Sequence, residues 1–112
     1  MLKKITSLFI MMIASMQSAH ALTYVSMMER SQEARNIYIA GLGEGFSWAN
    51  AAALVDDFRL YCQPNKLALN GRMYAQILDD FVARKEKTEP DIKQQEVGLL
   101  MYMALLDVFP CE

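Results

Sequence analysis

Along nearly the whole chain, apolar residues recur at steps of three and four, and no segment alternates with period two. Side chains that must share one buried face at that spacing belong to helices and cannot line one side of a strand, so the pattern points to an all-α domain. Met27, Ser31, Ala34, Tyr38, Gly41 and Gly45 predict a first helix from about Tyr24, and Gly41, Gly43 and Gly45 then either fray it or let another backbone approach closely. Ser47 is placed to cap a second helix with the stripe Ala51, Leu54, Val55, Phe58 and Cys62. Pro64 breaks the chain, residues 63–69 read as a loop, and Asn70 caps a third helix carrying Tyr74, Ile77, Leu78, Phe81 and Val82.

The charged stretch 84–91 reads as a polar turn ending in Thr88-x-x-Asp91, which resembles a capping box with Asp in place of Glu. The last helix has the clearest pattern, Val97, Leu100, Met101, Ala104, Leu105 and Val108, and Pro110 stops it. The sum is a small four-helix, bundle-like domain with about 60% helix or more.

Residues 1–21 stand apart from this domain. Lys3 and Lys4 precede an almost unbroken apolar run from Ile5 to Met16, and Ala19-His20-Ala21 supplies a small-x-small cleavage site. The run is about 12 residues where a spanning helix needs roughly 20, so we expect a signal peptide cleaved after Ala21 and export to the periplasm, with no membrane attachment afterwards. Cleavage leaves Leu22–Glu112 and removes two of the 11 basic residues and none of the 13 acidic ones, giving a net charge of −4. A modestly acidic protein gains nothing from phosphate backbones, and nucleic acid is not expected as a partner.

In an oxidising compartment, the two cysteines, Cys62 and Cys111, are expected to form a structural disulfide. The alternatives are a redox pair or two metal thiolates, but the spacing is not C-x-x-C and no further thiol or mature imidazole is at hand. The sole histidine, His20, leaves with the signal, and with it any Ser-His or Cys-His pair, neutral-pH base or His metal site. The glycine cluster matches neither a dinucleotide nor a P-loop pattern. Asp56-Asp57 and Asp79-Asp80 invite thoughts of paired carboxylates, but neighbours on a helix point about 100° apart, and solvated faces are the better reading. Methionines 27, 28, 73, 101 and 103 could suggest a copper site, yet spread over three helices they read as core filler. No catalytic residue, metal or cofactor is expected.

One resemblance covers most of the mature chain. The export signal, Tyr38-Ile39-Ala40-Gly41, Tyr61-Cys62-Gln63-Pro64, the segment Tyr74 to Phe81, and Ala104-Leu105 with Phe109-Pro110-Cys111 together resemble the Rap/Tai-type immunity proteins of type VI secretion. The segment from Gly43 to Leu60 lies outside the match. The resemblance implies a small periplasmic helical protein that neutralises a peptidoglycan-cutting amidase by occluding its active site, a disulfide between Cys62 and Cys111, and a homodimer in at least some members.

An interaction protein is therefore the first expectation, with affinity resting on a few anchors. The candidates are the turn residues Lys85, Glu86, Lys87 and Glu89, and the aromatic pair Phe46 and Trp48. Each has a plainer reading: a charge run is a solvated turn, and Trp48 a packed residue. The alternative function is a periplasmic acid-stress chaperone, whose switch would be carboxylate protonation.

Overall fold

The computed structural model describes residues 21–112, so the signal read at 1–21 lies, but for Ala21, outside the described residues. These form an all-α fold with four α-helices, 66% helical. The helices are α1 (Tyr24–Met28), α2 (Gln32–Ala53), α3 (Gly71–Glu86) and α4 (Val97–Val108), with 3₁₀ turns at Leu54–Asp56 and Ile92–Gln94.

The helix count agrees with the sequence reading, but its first half is divided differently. The helix expected from Tyr24 onward stops at Met28, because Ser31 starts a new one by accepting the Ala34 N–H at 3.2 Å. Arg35 braces the junction, donating from Nη1 to the carbonyls of Met28 and Arg30. Ser47 caps nothing: α2 runs through all three glycines to Ala53. The helix expected to reach Cys62 ends in a Schellman motif instead. There the Phe58 N–H donates to the Ala53 carbonyl, the Asp57 N–H donates to that of Leu54, and Asp57 takes the left-handed conformation at φ 58°. Asp tolerates that region better than most residues with a Cβ. The expected stripe therefore dissolves: Leu54, Val55 and Phe58 are exposed.

Asn50 then turns the chain back along α2. Its Oδ1 accepts the Leu60 N–H at 2.7 Å, and its Nδ2 donates to the Tyr61 carbonyl at 3.0 Å. That places Tyr61 in the core and Cys62 beside the end of α4, where the Cys62 N–H donates to the Phe109 carbonyl at 2.8 Å and the disulfide to Cys111 closes. Asn70 caps α3 as expected, accepting the Met73 N–H at 2.9 Å.

Most of the core belongs to α3 and α4: Tyr74, Leu78, Phe81 and Val82 from the former, and Val97, Leu100, Met101, Ala104 and Leu105 from the latter. Burying each of the larger aliphatic and aromatic side chains stabilises the fold by roughly 1.5–3 kcal/mol. Val108, expected on that stripe, is exposed, as are Met28 and Met73, which fill no core space. The α4 helix has no side-chain N-cap. Its first N–H, that of Val97, donates instead to the Leu22 carbonyl at 2.9 Å, and the Tyr24 N–H donates to the Gln95 carbonyl at 3.0 Å. This short bridge is the only β-pairing among the described residues.

Helix α2 contributes Ile39 and Gly43 to the core, with Leu42 and Phe46 packed at its edge. The stripe expected to face inward, Ala34, Tyr38, Gly41 and Gly45, points to solvent. The inward face is the opposite one, because the Tyr74 ring lies across Gly43 and Phe46 stacks on Tyr102 at 6.0 Å.

Two stability outcomes follow from this packing. A Cβ at Gly43 would sit well inside van der Waals contact with the Tyr74 ring, so Gly43→Ala should destabilise by about 1–3 kcal/mol despite Ala's better helix propensity. The double variant Cys62→Ser, Cys111→Ser should lose about 2–4 kcal/mol, since the bridge closes a loop with a sequence separation of 49. Urea unfolding of each variant against the oxidised parent measures both.

Candidate partner-binding surface

The segment between α3 and α4 is built as a chain of small turns. The last turn of α3 is closed over Lys85, whose carbonyl accepts the N–H groups of Thr88 at 3.1 Å and Glu89 at 2.7 Å and the Thr88 hydroxyl at 3.3 Å. Next, the Ile92 N–H donates to the Glu89 carbonyl, that of Gln94 to Asp91, and that of Gln95 to Ile92. The capping box expected at Thr88-x-x-Asp91 does not form: Thr88 donates backward to α3, the Asp91 side chain caps nothing, and α4 starts only at Val97. Ile92 anchors the loop by burying its side chain in the core, and the Gln95 carbonyl is tied to Tyr24.

The four charged candidates at this loop therefore differ in their freedom. Lys85 is partly buried, its Nζ 5.8 Å from the centre of the Phe81 ring, a cation–π contact. Glu86 pairs with Lys93 across the loop at 3.2 Å. An exposed pair of this kind adds little stability, but here it joins the end of α3 to the 3₁₀ turn. Lys87 and Glu89 are exposed and make no ion pair among the described residues. Beside the loop is an open recess of about 250 Å³ lined by Pro90, Ile92, Gln95, Leu99 and Met103, which gives the charged rim an apolar neighbour.

The two aromatic candidates part company. Phe46 is half-buried and stacked on Tyr102, which makes it a packing residue. Trp48, expected to be packed, is 70% exposed on α2. Nothing in the contacts brings either of them to the 85–96 loop.

Of the carboxylates read as solvated, Asp79 has a structural partner, accepting a 2.8 Å hydrogen bond from the Tyr24 hydroxyl that fastens α1 to α3. Asp79 also borders a cleft of about 500 Å³ of mixed lining, with Gln32, Arg35, Asn36 and Arg72 beside the apolar Met28 and Ile39. Asp57 serves as the helix stop described above. Asn50, the residue that shapes the return of the chain, carries no sequence signal beyond being an amide inside an apolar run. Among the described residues no group of three or more His, Cys, Asp or Glu is placed to hold a metal ion, and no helix is long and apolar enough to cross a membrane.

Searches against protein-family models, curated proteins and solved structures found no match to this chain.

Tyr61 is the one buried side chain whose polar atom lacks a hydrogen-bond partner among the described residues. Burial pushes its phenol up from 10.0 to about 12, with Tyr74 adding to the shift. The folded state thus holds this proton more tightly than the unfolded chain. The resulting stability is complete below about pH 10 and drains away as the pH rises toward about 12. Tyr24 shifts in the same direction through burial and its bond to Asp79. Tyr61→Phe should leave neutral-pH stability unchanged or raise it by up to about 1 kcal/mol, because an unpartnered buried hydroxyl is a cost. It should also flatten the alkaline loss of stability, which urea midpoints recorded against pH would show.

Proposed function

We propose that this chain is an exported interaction protein that neutralises a peptidoglycan amidase by covering its catalytic groove, the function implied by its resemblance to the Rap/Tai-type immunity proteins. The observation that supports this reading is the 87–96 loop. It presents Lys87 and Glu89 to solvent on a backbone already closed by turn hydrogen bonds, the Glu86–Lys93 pair and the buried Ile92. A segment ordered before binding loses little conformational entropy on docking, so a short loop can supply useful affinity. In this scheme Lys87 and Glu89 contact the amidase, Lys85 and Glu86 hold the loop in position, and the recess beside Leu99 and Met103 receives an apolar side chain of the partner. Inhibition is steric: the mature sequence has no imidazole and its two thiols are joined.

The test uses oxidised protein spanning residues 22–112, presented to the secreted proteins of the producing strain and its relatives. A single stoichiometric partner whose cell-wall hydrolysis is lost on mixing is the expected result. Lys87→Glu with Glu89→Lys should weaken that complex at least about tenfold while leaving the urea midpoint in place. Absence of a partner, together with broad suppression of client aggregation at acid pH, would replace this reading with the acid-stress chaperone.

A further inference from the structure

The cleft of about 500 Å³ between α1, α2 and α3 carries charge opposite to that of the chain. Its lining holds two guanidiniums, Arg35 and Arg72, against one carboxylate, Asp79, whereas the mature sequence has a net charge of −4. Neither arginine makes an ion pair among the described residues. Arg35 is also held in place. Its Nη1 donates to the Met28 and Arg30 carbonyls at 3.2 and 2.9 Å, while Nε and Nη2 have no hydrogen-bond partner among the described residues. A guanidinium fixed along one edge, with its other N–H groups spare, is set to receive a carboxylate, which takes two parallel hydrogen bonds from such a fork. Arg72 stands exposed on α3, where its charge adds to that of Arg35 across the same cleft.

The rest of the lining narrows the class of anion. Asp79 repels a dianion such as phosphate more strongly than it repels a single negative charge. Its Oδ1 accepts the Tyr24 hydroxyl, and its Oδ2 has no partner among the described residues. With the side-chain amides of Gln32 and Asn36, both exposed, that oxygen offers acceptors for N–H groups of a ligand. The floor is apolar: Met27 and Ile39 are buried, and Ala40 and Ala75 add only methyl groups. A ligand that matches all three parts has one negative charge, N–H donors next to it and a small apolar group. The C-terminal end of a peptide has these features, and the volume falls within the roughly 300–1,000 Å³ of ligand clefts.

We propose that this cleft binds the C-terminal carboxylate of a short peptide ending in small apolar residues. Arg72 and the free edge of Arg35 hold the carboxylate, and Asp79, Gln32 and Asn36 bond the amides behind it. The site shares no residue with the 87–96 loop and does not rest on the function proposed above. Two sources carry such an end: proteins, in the L configuration, and cell-wall stem peptides, which end in D-alanine.

Amide shifts of isotope-labelled, oxidised 22–112 protein, followed during titration with N-acetyl-L-alanyl-L-alanine and separately with N-acetyl-D-alanyl-D-alanine, test the proposal. We expect saturable shifts concentrated at 32–40 and 71–79, with a Kd below about 1 mM for at least one of the two. The enantiomer bound more tightly identifies the source. The same peptide amidated at its C-terminus, and inorganic phosphate, should each bind at least about tenfold more weakly. Arg72→Gln should raise the Kd at least about tenfold, and so should Asn36→Glu, which sets a carboxylate beside the guanidiniums. Both positions are exposed, so the spectrum away from the cleft should stay unchanged. Arg59→Gln, which removes the same charge outside the cleft, should alter the Kd by less than about twofold. Absence of saturation by either peptide up to about 10 mM would overturn the proposal. So would an amidated peptide or phosphate that binds as well, or an Arg72→Gln variant that binds like the parent.

Discussion

The joint at Asn50, Tyr61 and Cys62 holds this fold together. Helix α2 ends far from α4 in sequence, and its last turn, Leu54–Asp56, has no core of its own. One amide side chain bonds the returning strand of backbone to α2, and the strand then delivers a tyrosine to the core and a cysteine to the end of α4. Because the bridge and the Cys62–Phe109 hydrogen bond act at the same place, α3 and α4 are enclosed in one covalent loop whose ends are also fixed non-covalently. The unpartnered Tyr61 hydroxyl is the cost of that arrangement: the ring fills the space between the return segment and Phe109, and its oxygen is buried along with it.

A second fastening works at the opposite end. The chain enters the domain at Leu22, whose carbonyl accepts the N–H that opens α4, and Tyr24 reaches Asp79 on α3. The first residues of the domain thus supply the cap that α4 lacks and close the base of the 87–96 loop. The rigidity of that loop is consequently a property of the whole domain, set by the N-terminal segment, by α3 and by the buried Ile92 together.

The second half of the domain was legible in the sequence and the first half was not. In α3 the apolar stripe has one side and Asn70 is a cap with an unambiguous geometry; in α4 the expected Val97, Leu100, Met101, Ala104 and Leu105 are buried and Pro110 follows its end, although the capping box expected to start it does not form and Val108 is exposed. In α2 apolar and small residues lie on both sides, and periodicity alone cannot say which side meets the core. The three glycines looked like a helix breaker, yet they sit inside a continuous helix because Gly43 admits the Tyr74 ring, a contact 31 residues away in sequence. The charged turn at 85–89 was visible as exposed and polar; its internal hydrogen bonds, and the difference between the held Lys85 and Glu86 and the free Lys87 and Glu89, were not.

The sequence by itself determined the class of the fold, the position of α3, the buried stripe of α4 and the pairing of the two cysteines, because each rests on local spacing or on there being one possible partner. Tertiary structure alone decided where α2 ends, which of its faces is buried, and that Trp48 stands in solvent while Phe46 does not. The physical reason is the same in each case. These outcomes depend on which distant side chain arrives to fill a space, and a ring laid across a glycine or an amide clamping a returning strand leaves no periodic trace in the residues nearby.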